Sequence, residues 1–208
     1  ESIINFGYNR KESLKIVKFE KLIEKVRACR LCAGELPLGP RPIIWGNPGA
    51  KILIIGQAPG MRVHESGVPW DDKSGERLRD WLSLSANTFY DEDKIAIMPM
   101  GFCYPGRAPN GADLPPRTEC APQWHDQILS EMPLVEGTLL VGSFAQNYYL
   151  GKKAAKTMTK TIRLWKVFGP GIVPIPHPSW RVTFWLKKNP WFEDDILPYI
   201  RDRVHRLI

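Results

Sequence analysis

The sequence predicts an α/β fold: a three-layer α/β/α sandwich around a mostly parallel central sheet of about four strands. Three observations carry this. Short apolar runs rich in β-branched residues recur along the chain, as strands buried on both faces require. Segments with helical three-and-four spacing alternate with them, the pattern of βαβ units. Long stretches rich in Pro, Gly and Trp follow three of the runs, at the strand ends where open α/β sheets bind ligands.

Leu14, Val17, Leu22, Ile23 and Val26 share one face of a predicted amphipathic helix that runs directly into Cys29. A proline-rich connection, ELPLGPRPIIWGNPGA, leads to the first strand, KILIIG, at 51–56. GERLRDWLSL reads as a helix, KIAIMPMGF as the second strand, TLLVGS as the third, and FAQNYYLG as the start of another helix. GIVPIP is the fourth strand. The closing helix, FEDDILPYIRDRVHRLI, has acidic residues at its start and basic ones at its end, as the helix dipole favours. No inter-domain linker interrupts the pattern, so residues 1–208 read as one domain.

At 208 residues the chain is long enough to bury a real core without disulfides or metals to compensate for small size. Its 43% hydrophobic and 25% charged residues are those of an ordinary globular protein, and no apolar run reaches the roughly 18 residues of a membrane span. The first residues lack the layout of a secretory signal, which points to an intracellular, cytoplasmic protein, and a monomer is expected. Lys and Arg exceed Asp and Glu by 29 to 22, a net charge of +7 that favours a polyanionic partner without identifying one.

The four cysteines form a two-plus-one-plus-one set: Cys29 and Cys32, then Cys103 and Cys120. All lie in Pro/Gly/Arg-rich loops, where buried cysteines acting as small hydrophobes are not expected. The Cys-x-x-Cys follows a helix, where one turn can aim both sulfurs at one centre. Four thiolates suit zinc or an iron–sulfur cluster, and spacing alone does not choose between them. Either centre clamps the loop 101–120 at both ends and pins the first helix.

GQAPG at 56–60 follows the first strand, and its glycines let backbone N–H groups approach a ligand closely. HPS at 177–179 follows the fourth. With the cysteine pair upstream, SGVPW at 66–70 and the loop CYPGRAPNGADLPPRTEC at 103–120, these motifs resemble, in order, the uracil-DNA glycosylase superfamily, and most closely its iron–sulfur branch, family 4. Members of that branch show a cysteine pair, a G-E-A-P-G turn, a TGRPF-like stretch, a cysteine-bounded proline-rich loop and a final H-P-A or H-P-S. The resemblance implies a 4Fe–4S cluster on Cys29, Cys32, Cys103 and Cys120, with zinc as the alternative. It also implies a partner, DNA containing a damaged base, and a glycosylase that flips the nucleotide out of the duplex and hydrolyses its N-glycosidic bond.

The same resemblance implies roles for single residues. His177 donates to the base oxygen that gains charge, and Trp70 stacks on the base, with Gly56, Gln57 and Ala58 completing the base pocket. Pro59, Gly60, Ser143, Ser179, Trp180, Arg181 and Lys187, with Lys188 beside it, contact the DNA. The chain departs from the family at Gln57, where family 4 has glutamate; an amide orients water but does not accept its proton. A carboxylate then comes from Glu65, Asp71 or Asp72, the last two favoured because they adjoin Trp70. MPMGFC also lacks the asparagine that reads the uracil edge. Three readings remain at this point. They are a glycosylase for uracil or another deaminated base such as hypoxanthine or xanthine, a DNA-binding member with little or no activity, and an unrelated zinc protein of α/β type.

Overall fold

The structure, a computed structural model, describes residues 10–208, with side chains described from residue 14 onward. Its centre is a four-stranded, all-parallel sheet of β1 (Ile52–Ile55), β2 (Ile95–Ile97), β3 (Gly137–Val141) and β4 (Ile172–Ile175). The strand order is β2-β1-β3-β4, with Ile52 level with Ile95 on one side and Gly137 on the other, and Thr138 level with Ile172. The chain therefore winds outward in one direction from β1 and in the other from β3. The crevice outside the carboxyl ends at this reversal is where such sheets take ligands.

Side chains alternate across the sheet, and each face has its own core. Ile52 and Ile54 pack with Ile95, Ile97, Leu139 and Val173 beneath α3 (Lys73–Leu82) and the closing α9 (Leu197–Leu207). Leu53 and Ile55 pack with Met98, Leu140 and Ala145 beneath α1 (Arg10–Arg27), α5 (Asp126–Ser130) and α6 (Ser143–Leu150). Shorter helices fill the connections: α2 (Met61–Ser66), α4 (Ala86–Phe89), α7 (Met158–Arg163) and α8 (Val182–Lys188). The expected α/β/α sandwich is this arrangement.

Several details differ from the sequence reading. Helix α1 buries only part of the face predicted for it: Ile23 and Val26 are buried, with Phe19 beside them, and Leu22 is half-buried, while Leu14 and Val17 are 63% and 45% exposed. The residues of α1 that join the core lie in its second half. Burying three such side chains contributes roughly 1.5–3 kcal/mol each. Strand β2 has only three residues, because the chain turns at Pro99 to bond with the first turn motif: the Met100 and Gly101 amides donate to the carbonyls of Gly56 and Gln57. The helices α5 and α9 open with wide π-type turns, Ala121–His125 and Phe192–Ile196, beside Pro122 and Pro198, which have no N–H to close a normal α turn.

Candidate active site

A cleft of about 520 Å³ opens at the carboxyl edge of the sheet, a size typical of sites for small organic groups. Gly56, Gln57, Ala58, Pro59 and Gly60 form its floor after β1, and His177, Ser179, Trp180 and Arg181 form one wall after β4. Trp70 forms another wall. Its ring centroid lies 5.5 Å from that of His177, with the planes tilted by 35°.

Trp70 is held there by its surroundings. It adopts φ of 58°, uncommon for a bulky residue, and such strain persists only where neighbours enforce it. Arg79 donates to its carbonyl at 3.3 Å, and the Tyr90 hydroxyl donates to the Pro69 carbonyl at 3.0 Å. Glycine is needed on both sides. A Cβ at Gly56 would stand 2.9 Å from the indole, and one at Gly75 would stand 1.7 Å from the Trp70 carbonyl oxygen. The glycine of the first turn motif thus makes room for the aromatic wall.

His177 lies deep in the protein with part of its ring open to the cleft. Burial lowers its pKa below the ordinary imidazole value, and the carboxylates of Asp72 and then Asp113 oppose that effect. Neither ring nitrogen has a hydrogen-bond partner among the described residues. A neutral imidazole with an uncommitted N–H facing a cleft is a donor awaiting an acceptor.

The remaining expected residues divide. Asp72 lines the cleft, but its Oδ1 caps α3 by accepting from the Gly75 amide at 2.8 Å. Asp71 is absent from the lining and stands near Tyr90, whose pKa its charge helps to raise. Glu65 is exposed on α2, and its backbone carbonyl accepts from Arg41 at 2.9 Å. Ser143 is exposed at the first turn of α6, and Lys187 and Lys188 are exposed in the last turn of α8; none of the three lines the cleft. Trp180 is 68% exposed at the rim, with the Arg181 guanidinium 5.5 Å from its ring centroid.

Sequence reasoning missed Asp113 and Arg107, which the cysteine-bounded loop brings to the cleft. It also missed Arg77, which donates to the Ser179 carbonyl at 2.6 Å and so fixes the segment after His177. The signal for Asp113 was present as the only carboxylate between Arg107 and Leu114, but its position depends on how the loop folds back.

The four cysteines surround a second, smaller cavity, lined also by Leu36, Phe102, Arg117 and Trp124. No disulfide joins any two of them; Cys32, Cys103 and Cys120 are buried and Cys29 is half-buried. Burial pushes the Cys103 thiol up to about 11. Arg117, beside Cys32 in the cavity lining, pairs with Glu35 and Glu119, tying the loop to the segment after the cysteine pair. Among the described residues no three His, Cys, Asp or Glu side chains converge closely enough for a single metal ion.

The family model described as the uracil DNA glycosylase superfamily matches residues 43–201, which span the sheet, the cleft and the cysteine-bounded loop. A curated relative named Type-4 uracil-DNA glycosylase, from Thermotoga maritima, is 24% identical over 176 residues, covering 83% of this chain and 85% of the relative. With a match over most of its length and the motif-bearing turns gathered at one sheet edge, the chain belongs to the uracil DNA glycosylase superfamily.

Proposed function

We propose that the chain is a monofunctional DNA glycosylase of base excision repair that hydrolyses the N-glycosidic bond of a deaminated base, with uracil the leading substrate. The observation that carries this reading is the Trp70–His177 pair: an aromatic wall beside an uncommitted neutral donor, both lining a cleft able to hold a base. Stacking on an aromatic face stabilises a bound base by roughly 1–3 kcal/mol. As the bond to C1′ breaks, negative charge grows on the base, and a donor already in place stabilises it without reorganisation.

The rest of the cleft fits the same task. Trp180 and Arg181 at the rim are suited to fill the gap left by a flipped nucleotide and to meet a phosphate, and Ser143, Lys187 and Lys188 are exposed for further backbone contacts. No lysine is among the described residues that line the cleft, so water rather than an amine is the nucleophile, which supports a monofunctional enzyme. Helix α1 belongs to the same unit, since Phe19, Ile23 and Val26 pack in the core beneath the sheet.

Cys29, Cys32, Cys103 and Cys120 are assigned to a 4Fe–4S cluster. Four cysteines lining one cavity are a donor set that suits four-thiolate coordination, and the resemblance to the iron–sulfur branch favours a cluster over a single zinc ion. When bound, such a cluster supplies a rigid cross-link between α1 and both ends of the loop. Purified protein is expected to hold about four iron and four sulfide per chain. Stoichiometric zinc without iron would return the zinc alternative.

The activity test is single-turnover cleavage, with alkali to reveal abasic sites, on matched oligonucleotides carrying uracil, hypoxanthine or xanthine. Excision of uracil is expected. Silence on all three, from protein with an intact metal centre and measurable DNA binding, would leave a DNA-binding member of the family in place of an enzyme.

A further inference from the structure

Hydrolysis at C1′ needs a water held and deprotonated beside the sugar, and the first turn motif offers only the Gln57 amide. That amide is itself engaged, its Nε2 donating to the Leu114 carbonyl at 3.3 Å. Two carboxylates line the cleft among the described residues, Asp72 and Asp113. Asp72 has one oxygen committed to the start of α3.

Asp113 is placed differently. Residues 107–113 form a small hairpin: Arg107 and Asp113 pair as an antiparallel bridge, the Ala108 amide donates to the Ala112 carbonyl at 2.8 Å, and the Gly111 amide closes the turn around Pro109 and Asn110 by donating to the Ala108 carbonyl at 2.9 Å. The hairpin leans onto the first turn motif, so that Asp113 Oδ2 lies 3.4 Å from where a Gly60 Cβ would stand. Its other oxygen, Oδ1, faces Arg107 Nε at 3.6 Å, too long for a good hydrogen bond. The side chain keeps 43% of its surface, open to the cleft. The hairpin grows from the loop bounded by Cys103 and Cys120, and the residues leading into that loop, Met100 and Gly101, are bonded to Gly56 and Gln57.

We propose that Asp113 is the catalytic carboxylate that orients and deprotonates the attacking water, carried over the first turn motif by the 107–113 hairpin. The assignment rests on reading the cleft as a glycosylase site. In the step, the water oxygen bonds to C1′ and the C1′–N bond breaks. The bonding pair leaves with the base, stabilised by His177, and the water proton passes to Asp113. The charged and titratable groups facing Asp113 are Arg107, Tyr104 and His177. The cysteine-bounded loop then has a function beyond stability, because it positions a reacting group.

The test compares single-turnover excision from a uracil duplex by wild type, Asp113→Asn, Asp113→Glu and Asp72→Asn, with DNA affinity and circular dichroism measured on each. Asp113→Asn is expected to slow excision roughly 10²–10⁴-fold, the span of general-base catalysis, with affinity and spectrum unchanged and the acid limb of the pH–rate profile lost. Asp113→Glu is expected to restore part of the rate, and Asp72→Asn to cost less than Asp113→Asn. Asp113→Asn at the wild-type rate overturns the proposal, as does a larger loss from Asp72→Asn. A wild type silent on every base overturns the glycosylase reading itself, and this assignment with it.

Discussion

His125 and His177 are both deep imidazoles whose pKa burial lowers, yet their surroundings direct them to different work. His125, at the end of the wide turn before α5, is fully buried and fully partnered. Its Nε2 donates to the Pro99 carbonyl at 3.2 Å, its Nδ1 accepts from the Tyr149 hydroxyl at 2.6 Å, and the Phe102 ring stacks on it. His177, after β4, has an aromatic neighbour and no hydrogen-bond partner among the described residues. A partnered buried histidine rigidifies a core, whereas an unpartnered one at a cleft pays desolvation for readiness.

Of the two, His177 is the one whose loss is expected to reach the chemistry. Replacing it with alanine removes a donor aimed at developing charge, and the expected loss in single-turnover excision is roughly 10²–10³-fold. DNA affinity and thermal stability are expected to stay near wild type, because no hydrogen bond among the described residues depends on the ring. A variant that excises normally would remove His177 from the mechanism.

His125 is expected to act on stability alone. A carbonyl only accepts, so Nε2 carries the proton and Nδ1 accepts from Tyr149, which fixes the neutral form. Burial lowers its pKa from 6.5 to about 4, so an unfolded chain takes up this proton before the folded one does. The stability due to neutral His125 is therefore complete above pH 6.5 and lost as the pH falls towards about 4, a decline of about 3 kcal/mol. Urea unfolding across that range measures it. His125→Gln is expected to flatten the decline, and an unchanged slope in that variant would assign it to other groups.

The two histidines also show how much the sequence could reveal. HPS follows an apolar run and a rigid strand carries it to the sheet edge, so the position of His177 was legible from local pattern. The same holds for GQAPG and for the strands, whose apolar runs leave little choice of where they sit. His125 was not legible, because its partners come from residues 99, 102 and 149, brought together only by packing. Asp113 was hidden for a related reason: a hairpin inside a Pro/Gly loop takes its direction from the Gln57–Leu114 hydrogen bond and from its own internal bonds, not from any periodicity. Asp71 and Asp72 adjoin in sequence, but the helix cap turns only Asp72 toward the cleft.

At Asp72 one carboxylate serves both structure and electrostatics. Its Oδ1 caps α3, and its charge is the foremost carboxylate influence raising the His177 pKa against burial. Asp72→Ala removes both effects and is expected to cost about 1 kcal/mol of stability, the usual effect of losing a cap. Asp72→Asn keeps a capping oxygen, since asparagine is as good an N-cap, so its melting temperature is expected to match wild type. The negative charge favours imidazolium, so its loss in either variant lowers the His177 pKa further, measurable by NMR titration of the ring. A fall in both variants, with stability lost only in Asp72→Ala, separates the cap from the charge. An unmoved His177 titration would mean that the carboxylate serves the helix alone.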